Sequence, residues 1–286
     1  MRLATRGSAL ARRQAALAAA ALTAAGVTHI DEVIVQTTSD RNPEVPLDRL
    51  DGQGWFVAEL ERALLDGRAD VAVHSAKDLP SELAPGLCIA ALLERADPRD
   101  VAVTAAGTPI AELPSGARVG TGSARRVAFL RALHPSLEPV GIRGNVDTRL
   151  RRLDAGEVDA LVLAAAGLER LGAADRAVER LDPSVFVPSP AQGAIALETR
   201  YDAEARALCA GVDVAETRLA VTAERTVLSR LGGGCLIPLG AWARVEDGRL
   251  VLTAALATDG EIRRATLAGD PMAPEELGAR VAEELR

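Results

Sequence analysis

The sequence predicts an α/β protein of two doubly wound lobes followed by a small α+β domain. Three observations carry this. Short apolar runs alternate with helix-period segments over most of the chain, the βαβ rhythm that builds a mostly parallel sheet with helices on both faces. A second run of that rhythm begins near Pro98 and echoes the first, RVGTGSARR at Arg118–Arg126 against RLATRGSALARR at Arg2–Arg13. From about Glu216 the pattern changes to one helix, three strands separated by Asp-Gly turns, and a final helix.

In order, RLAT (2–5) is a strand, the Ala-rich segment 8–25 a helix closed by Gly26, and EVIVQTT (32–38) a strand. WFVAELERALLDG (55–67) has helical spacing, and DVAVHS (70–75) and LCIAALL (87–93) are apolar runs of strand length. The second lobe repeats this with VAVT (101–104), ARVGT (117–121), a helix from Ser123, EPVGI (138–142), a helix over Val146–Ala155 and ALVLAAA (160–166). The proline-rich PSVFVPSPAQG (183–193) reads as a linker, and AWARVE, RLVLTAALA and EIRRATLA are the strands of the last domain. The expected units are 1–93 with 193–212, 98–188, and 215–286.

Length and composition bound the function. A chain of 286 residues and 29.8 kDa, 48% hydrophobic and 26% charged, has the size and balance of a multidomain globular protein. No stretch approaches the roughly 18 uninterrupted apolar residues of a membrane span, and MRLATRGSALARRQ has no apolar signal core, so a cytoplasmic location without membrane contact is expected. A net charge of -7 argues against a nucleic-acid partner. Cys88, Cys209 and Cys235 are too few and scattered for a disulfide framework. Lys77 is the only lysine and no GxxxxG precedes it, so there is no P-loop; GTGSARR (120–126) has Arg125 where a dinucleotide fingerprint needs its third glycine. His29, His74 and His134 are far apart and no CxxC occurs, so no metal is expected. There is also no GxSxG nucleophile elbow.

The basic residues carry more. A chain that uses arginine everywhere else keeps its one lysine in HSAKDLP, either as a surface residue or as part of a site. Ser8 and Ser123 each stand at a helix N-cap position, where backbone N–H groups favour an anion. Arg125 and Arg126 then fall in a first helical turn, where a cation is unfavourable unless an anion joins it; otherwise they form an exposed pair on a solvated face. Arg6, Arg143, Arg149 and Arg170 sit at strand ends and turns, the crevice side of an open α/β sheet. Together they point to a polyanionic ligand held by forked hydrogen bonds. Asp78, at a strand's end, either orients N–H donors and stabilises a developing positive charge or simply opens the loop before Pro80. Cys235 in LGGGCLIP is flanked by glycines that leave a thiol accessible for covalent attachment, a buried structural thiol being the alternative; Cys88, in an apolar strand, is structural.

ATRGS (4–8), AVHSAKDLP (72–80), ERADPRDV (94–101), GTGSARR (120–126), IRGNVDTRL (142–150), LAAAGLERLG (163–172), AQGAIALE (191–198) and RLGGGCLIPLG (230–240) resemble the porphobilinogen deaminase family, in order and over essentially the full length. The resemblance implies two lobes like those of bilobal periplasmic binding proteins, with a third domain that presents the cofactor. It implies stepwise head-to-tail condensation of four porphobilinogen molecules into hydroxymethylbilane, with loss of ammonia, primed by a dipyrromethane in thioether linkage to Cys235. Asp78 matches the catalytic aspartate, expected to hydrogen-bond pyrrole N–H groups and stabilise the azafulvene cation. Ser75, Lys77, Asp78, Thr121 and Ser123, with Arg125, Arg126, Arg143 and Gly144, match cofactor-binding positions. Arg6, Ser8, Arg143, Arg149, Arg170 and Gln192 match substrate-binding ones. A monomer is implied.

Two departures touch the edges. Arg49 and Gln53 stand in LDRLDGQGWFV where the family often has lysines of a lid, and the last domain ends after one helix at Arg286, shorter than many relatives. The rival class is a two-lobed binding module for an anionic small molecule, which needs neither Cys235 nor a third domain.

Overall fold

The computed structural model describes residues 1–36, 57–201, 204–233, 237–258 and 260–286. Strands β1 (Arg2–Arg6), β2 (Asp31–Val35), β3 (Val71–Ser75) and β4 (Leu87–Leu92) open the first lobe. The second lobe holds β5 (Asp100–Thr104), β6 (Arg118–Thr121), β7 (Glu138–Gly141), β8 (Ala160–Ala164) and β9 (Glu179–Arg180), after which β10 (Ile195–Arg200) returns to the first. The two five-stranded sheets run β2-β1-β3-β10-β4 and β7-β6-β8-β5-β9, the same order with β6 in the place of β1, so the sequence echo marks equivalent strands.

Unbroken apolar runs belong to strands covered on both faces. Val71–His74 and all of Asp100–Thr104 are buried. The helix Ala9–Ala24 begins where Ser8, in extended backbone, accepts from the Ala11 N–H at 3.3 Å, and it buries Gln14, Ala15, Ala18 and Leu22 on the face toward β1 and β3.

One strand in each sheet runs against the other four, and in both cases it follows a crossing between lobes. β5 is antiparallel to β8 and β9, and β10 to β3 and β4. The start of β5 lies opposite the end of β8 (Asp100 beside Ala164), and the start of β10 opposite the end of β3 (Ile195 beside Ser75). Both crossings therefore enter at the carboxyl ends of the parallel strands.

The segment 183–193 carries no helix or strand, yet it is no solvated tether. Phe186 and Val187 are buried in one cluster with Phe129 of the second lobe and Ala255 and Ala257 of the third domain. Its apolar side chains fill a junction that exposure would leave open.

The third domain is an antiparallel sheet of β11 (Leu239–Glu246), β12 (Arg249–Thr258) and β13 (Glu261–Gly269), covered by the helices Ala215–Arg230 and Pro274–Glu284. Asp247 and Gly248, both with positive φ (49° and 74°), make the tight turn between β11 and β12 that a right-twisted hairpin favours. Ala223, Val227, Leu250, Leu252, Leu277 and Val281 form its core.

Candidate functional site

In an open α/β sheet the ligand crevice lies beyond the carboxyl ends of the parallel strands. β3 ends at Ser75 and passes into a single 3-10 turn, Ala76–Asp78. Ser75 Oγ pairs with the carboxamide of Gln14, whose Nε2 donates at 2.8 Å, so the first helix fixes the start of this turn. Lys77 Nζ donates to Gln192 Oε1 at 3.1 Å. In the second lobe β6 ends at Thr121, whose buried hydroxyl accepts from the Ser123 N–H at 3.2 Å, and Ser123 caps the helix Ala124–Leu133 by accepting from the Arg126 N–H at 3.4 Å.

The first-turn arginines are buried, and the anion that joins them belongs to the chain itself. Asp100 Oδ2 lies 2.7 Å from Arg125 Nη2, and Oδ1 accepts from Arg126 Nη2 at 2.7 Å and from Gln192 Nε2 at 2.9 Å. Arg126 Nη1 also donates to Val162 O at 2.9 Å, and Arg125 Nη1 to Val187 O at 2.8 Å, with the Arg125 guanidinium packed against the rings of Phe129 and Phe186. Gln192, fully buried, completes its carboxamide by donating to Pro98 O at 2.8 Å. Lys77 of the first lobe, Gln192 of the crossing, and Asp100 and Arg126 of the second lobe thus form one knot.

Its electrostatics are lopsided. Burial pushes the Asp100 carboxyl up, but Arg125, Arg126 and the Gln192 amide overcome it and hold the group at about 2. Burial lowers Lys77 to about 8, with the Arg126 cation next, against Asp78 and Asp100. Arg149 is lowered to about 10 by burial and then by Arg126, Arg143 and Arg152, with Asp78 opposing. Burial also lowers Arg170, which donates to Gly193 O at 2.6 Å. Lys77, Arg125, Arg126, Arg143 and Arg149 outnumber Asp78 and Asp100, the carboxylates coupled to them. Lys77, Arg125 and Arg149, lowered by burial and by neighbouring arginines, are relieved by added carboxylates, so these residues fit a dipyrromethane, whose two rings carry several.

Arg6 ends β1 beside the Ser8 cap. Arg143 and Gly144 follow β7, where Gly144 adopts φ +101° and its carbonyl accepts from Arg149 Nε at 2.8 Å. Cys235 lies outside the described residues, as do Arg49 and Gln53. Sequence reasoning missed Asp100 and Gln14. The available signals were a carboxylate opening the apolar strand VAVT and a lone amide on the buried face of an Ala-rich helix.

The fold is thus that of a two-lobed α/β protein with cations gathered at the strand ends and a third domain packed at the crossing. Comparison with known proteins makes this specific. The family model described as porphobilinogen deaminase, dipyromethane cofactor binding domain, matches residues 1–207, and the porphobilinogen deaminase C-terminal domain matches 218–286. A protein named porphobilinogen deaminase from Acidothermus cellulolyticus is 49% identical over 100% of this chain and 88% of its own length. Another of that name from Syntrophobacter fumaroxidans is 46% identical over 100% of this chain and 94% of its own. Among solved structures, a periplasmic substrate-binding protein of an ABC transporter from Coxiella burnetii covers 74% of this chain and 91% of its own, at 13% identity and a TM-score of 0.47. The chain belongs to the porphobilinogen deaminase family. It is a transferase of tetrapyrrole biosynthesis that condenses porphobilinogen into hydroxymethylbilane on a dipyrromethane cofactor.

Proposed function

We propose that Asp78 is the catalytic carboxylate of this condensation and that the cations around it grip the acetate and propionate groups of the pyrroles. The observation that carries the reading is electrostatic: Asp78 opposes the depression of both Lys77 and Arg149, so one carboxylate stands inside a half-buried cationic field. Lys77, Arg143 and Arg149 bind ring carboxylates. Arg6, Ser8 and Arg170 flank the incoming substrate, and Ser75, Thr121, Ser123 and Gly144 shape the turns that face the primer. When bound, the dipyrromethane, held through Cys235, supplies a free pyrrole α-carbon for bond formation. Asp78 accepts pyrrole N–H groups and stabilises the positive charge that develops on the substrate as ammonia leaves. Arg125, Arg126 and Gln192 act behind this layer, their donors and acceptors spent on Asp100, Val162, Val187, Lys77 and Pro98.

Asp78→Asn removes the charge and keeps the shape. Turnover is expected to fall by about 10²-fold or more with an unchanged circular dichroism spectrum and melting temperature; turnover near the wild-type rate overturns the assignment. The accompanying reading is a cytoplasmic monomer without nucleic-acid or membrane partners. It is supported by the net charge of -7, by free thiols at Cys88 and Cys209 and by the scatter of Leu17, Ile34, Tyr201 and Met272 over separate elements. Sedimentation at one subunit's mass tests the oligomeric state.

A further inference from the structure

Arg225 lies on the third-domain helix Ala215–Arg230, and from there it reaches the first lobe. It donates to three successive backbone carbonyls: Nη1 to Leu79 O at 3.4 Å, and Nη2 to Pro80 O at 2.6 Å and to Ser81 O at 3.2 Å. These carbonyls follow directly on Asp78. The turn before them closes on a single 3.3 Å bond from the Leu79 N–H to Ala76 O, and Pro80 has no N–H to offer. A planar guanidinium fork suits several acceptors at once, which a point-charge ammonium does not.

A second contact joins the same two parts. Gly233 stands two residues before Cys235 in the sequence and has φ +30°. A Cβ placed there would lie 2.9 Å from Ser81 Cβ on a backbone that side chains rarely adopt, so glycine favours this approach of the third domain to the segment behind Asp78.

We propose that Arg225 is a positioning residue for the condensation: by holding the carbonyls of Leu79, Pro80 and Ser81 it fixes the Lys77–Asp78 turn to the third domain, so that the catalytic carboxylate keeps its place relative to the domain that carries Cys235. The inference rests on Asp78 carrying the chemistry.

The test uses the primed enzyme as Arg225→Ala and Arg225→Lys, with Asp78→Asn in parallel. Arg249→Ala serves as control, because that guanidinium also donates to a backbone carbonyl, Ala268 O at 2.9 Å, but within the third-domain sheet. Turnover, hydrogen–deuterium exchange of amides 76–84, and rescue by millimolar methylguanidinium are read together. Arg225→Ala is expected to lower kcat by roughly 10- to 100-fold with KM within about twofold, since loss of alignment acts on the transition state. Exchange over 76–84 accelerates, methylguanidinium restores part of both, Arg225→Lys falls between, and Arg249→Ala matches wild type. Wild-type kcat and exchange in Arg225→Ala overturn the inference, and so does a loss that methylguanidinium leaves untouched and that follows only the fraction of folded protein. Normal turnover in Asp78→Asn overturns instead the reading on which it rests.

Discussion

Lys77 shows how one residue ties the chemistry to pH. Its ammonium titrates at about 8 rather than 10.5 because burial and the Arg126 cation disfavour the charged form. Between about pH 8 and 10.5 the unfolded chain therefore binds more protons at this position than the folded one, so its contribution to stability rises with pH across that window; the cost of burying the charge is fully present below it. Only the charged form grips a carboxylate. In the proposed role, kcat/KM for porphobilinogen is expected to decline as pH rises through about 8, and Lys77→Met to remove that limb of the profile; identical alkaline limbs in both proteins contradict the role. Much at this scale was legible because it acts within a few residues: Ser8 and Ser123 cap helices whose first turns they immediately precede. Asp100 was not, because its partners Arg126 and Gln192 lie 26 and 92 residues away.

Among the elements, the apolar runs located strands well because a strand buried on both faces needs little else from its sequence. The direction of β5 and β10 was not written there. Each runs against its neighbours because it enters its sheet from a crossing at the crevice edge, a property of the path and not of VAVT or AIALE. The packing of the last helix is likewise visible only in three dimensions. A Cβ on Gly278 would lie 2.6 Å from both Ala223 O and Thr226 Cβ, so the two third-domain helices cross in contact at that point. Gly278→Ala forces them apart and is expected to destabilise the protein by about 1–3 kcal/mol, the usual cost of overpacking. Urea denaturation checks this, and an unchanged midpoint contradicts it.

Across the whole molecule, the segment that reads as a linker is where all three parts meet. Buried Glu224 of the third domain accepts from Arg95 Nη1 at 2.7 Å and Nη2 at 3.0 Å, and from the N–H groups of Ala191 at 2.6 Å and Ala243 at 2.7 Å. Ala191 holds a left-handed φ of 61° at this bond. One carboxylate thus joins both crossings to the third domain, so calorimetry is expected to show a single transition for the wild type and two for Glu224→Ala; one transition in each contradicts the coupling. Proline content alone suggested a tether, because the apolar residues that bury it, Phe186 and Val187, find their partners in two other domains. The central claim is that a primer on Cys235 is extended one pyrrole at a time under the charge of Asp78. Intact mass of the denatured protein, before and after addition of porphobilinogen, tests it most directly. An excess of two linked pyrroles is expected in the wild type and in Asp78→Asn but not in Cys235→Ser, and a ladder of single-pyrrole additions in the wild type alone. A wild-type mass equal to the bare chain, unchanged after incubation with porphobilinogen, contradicts it.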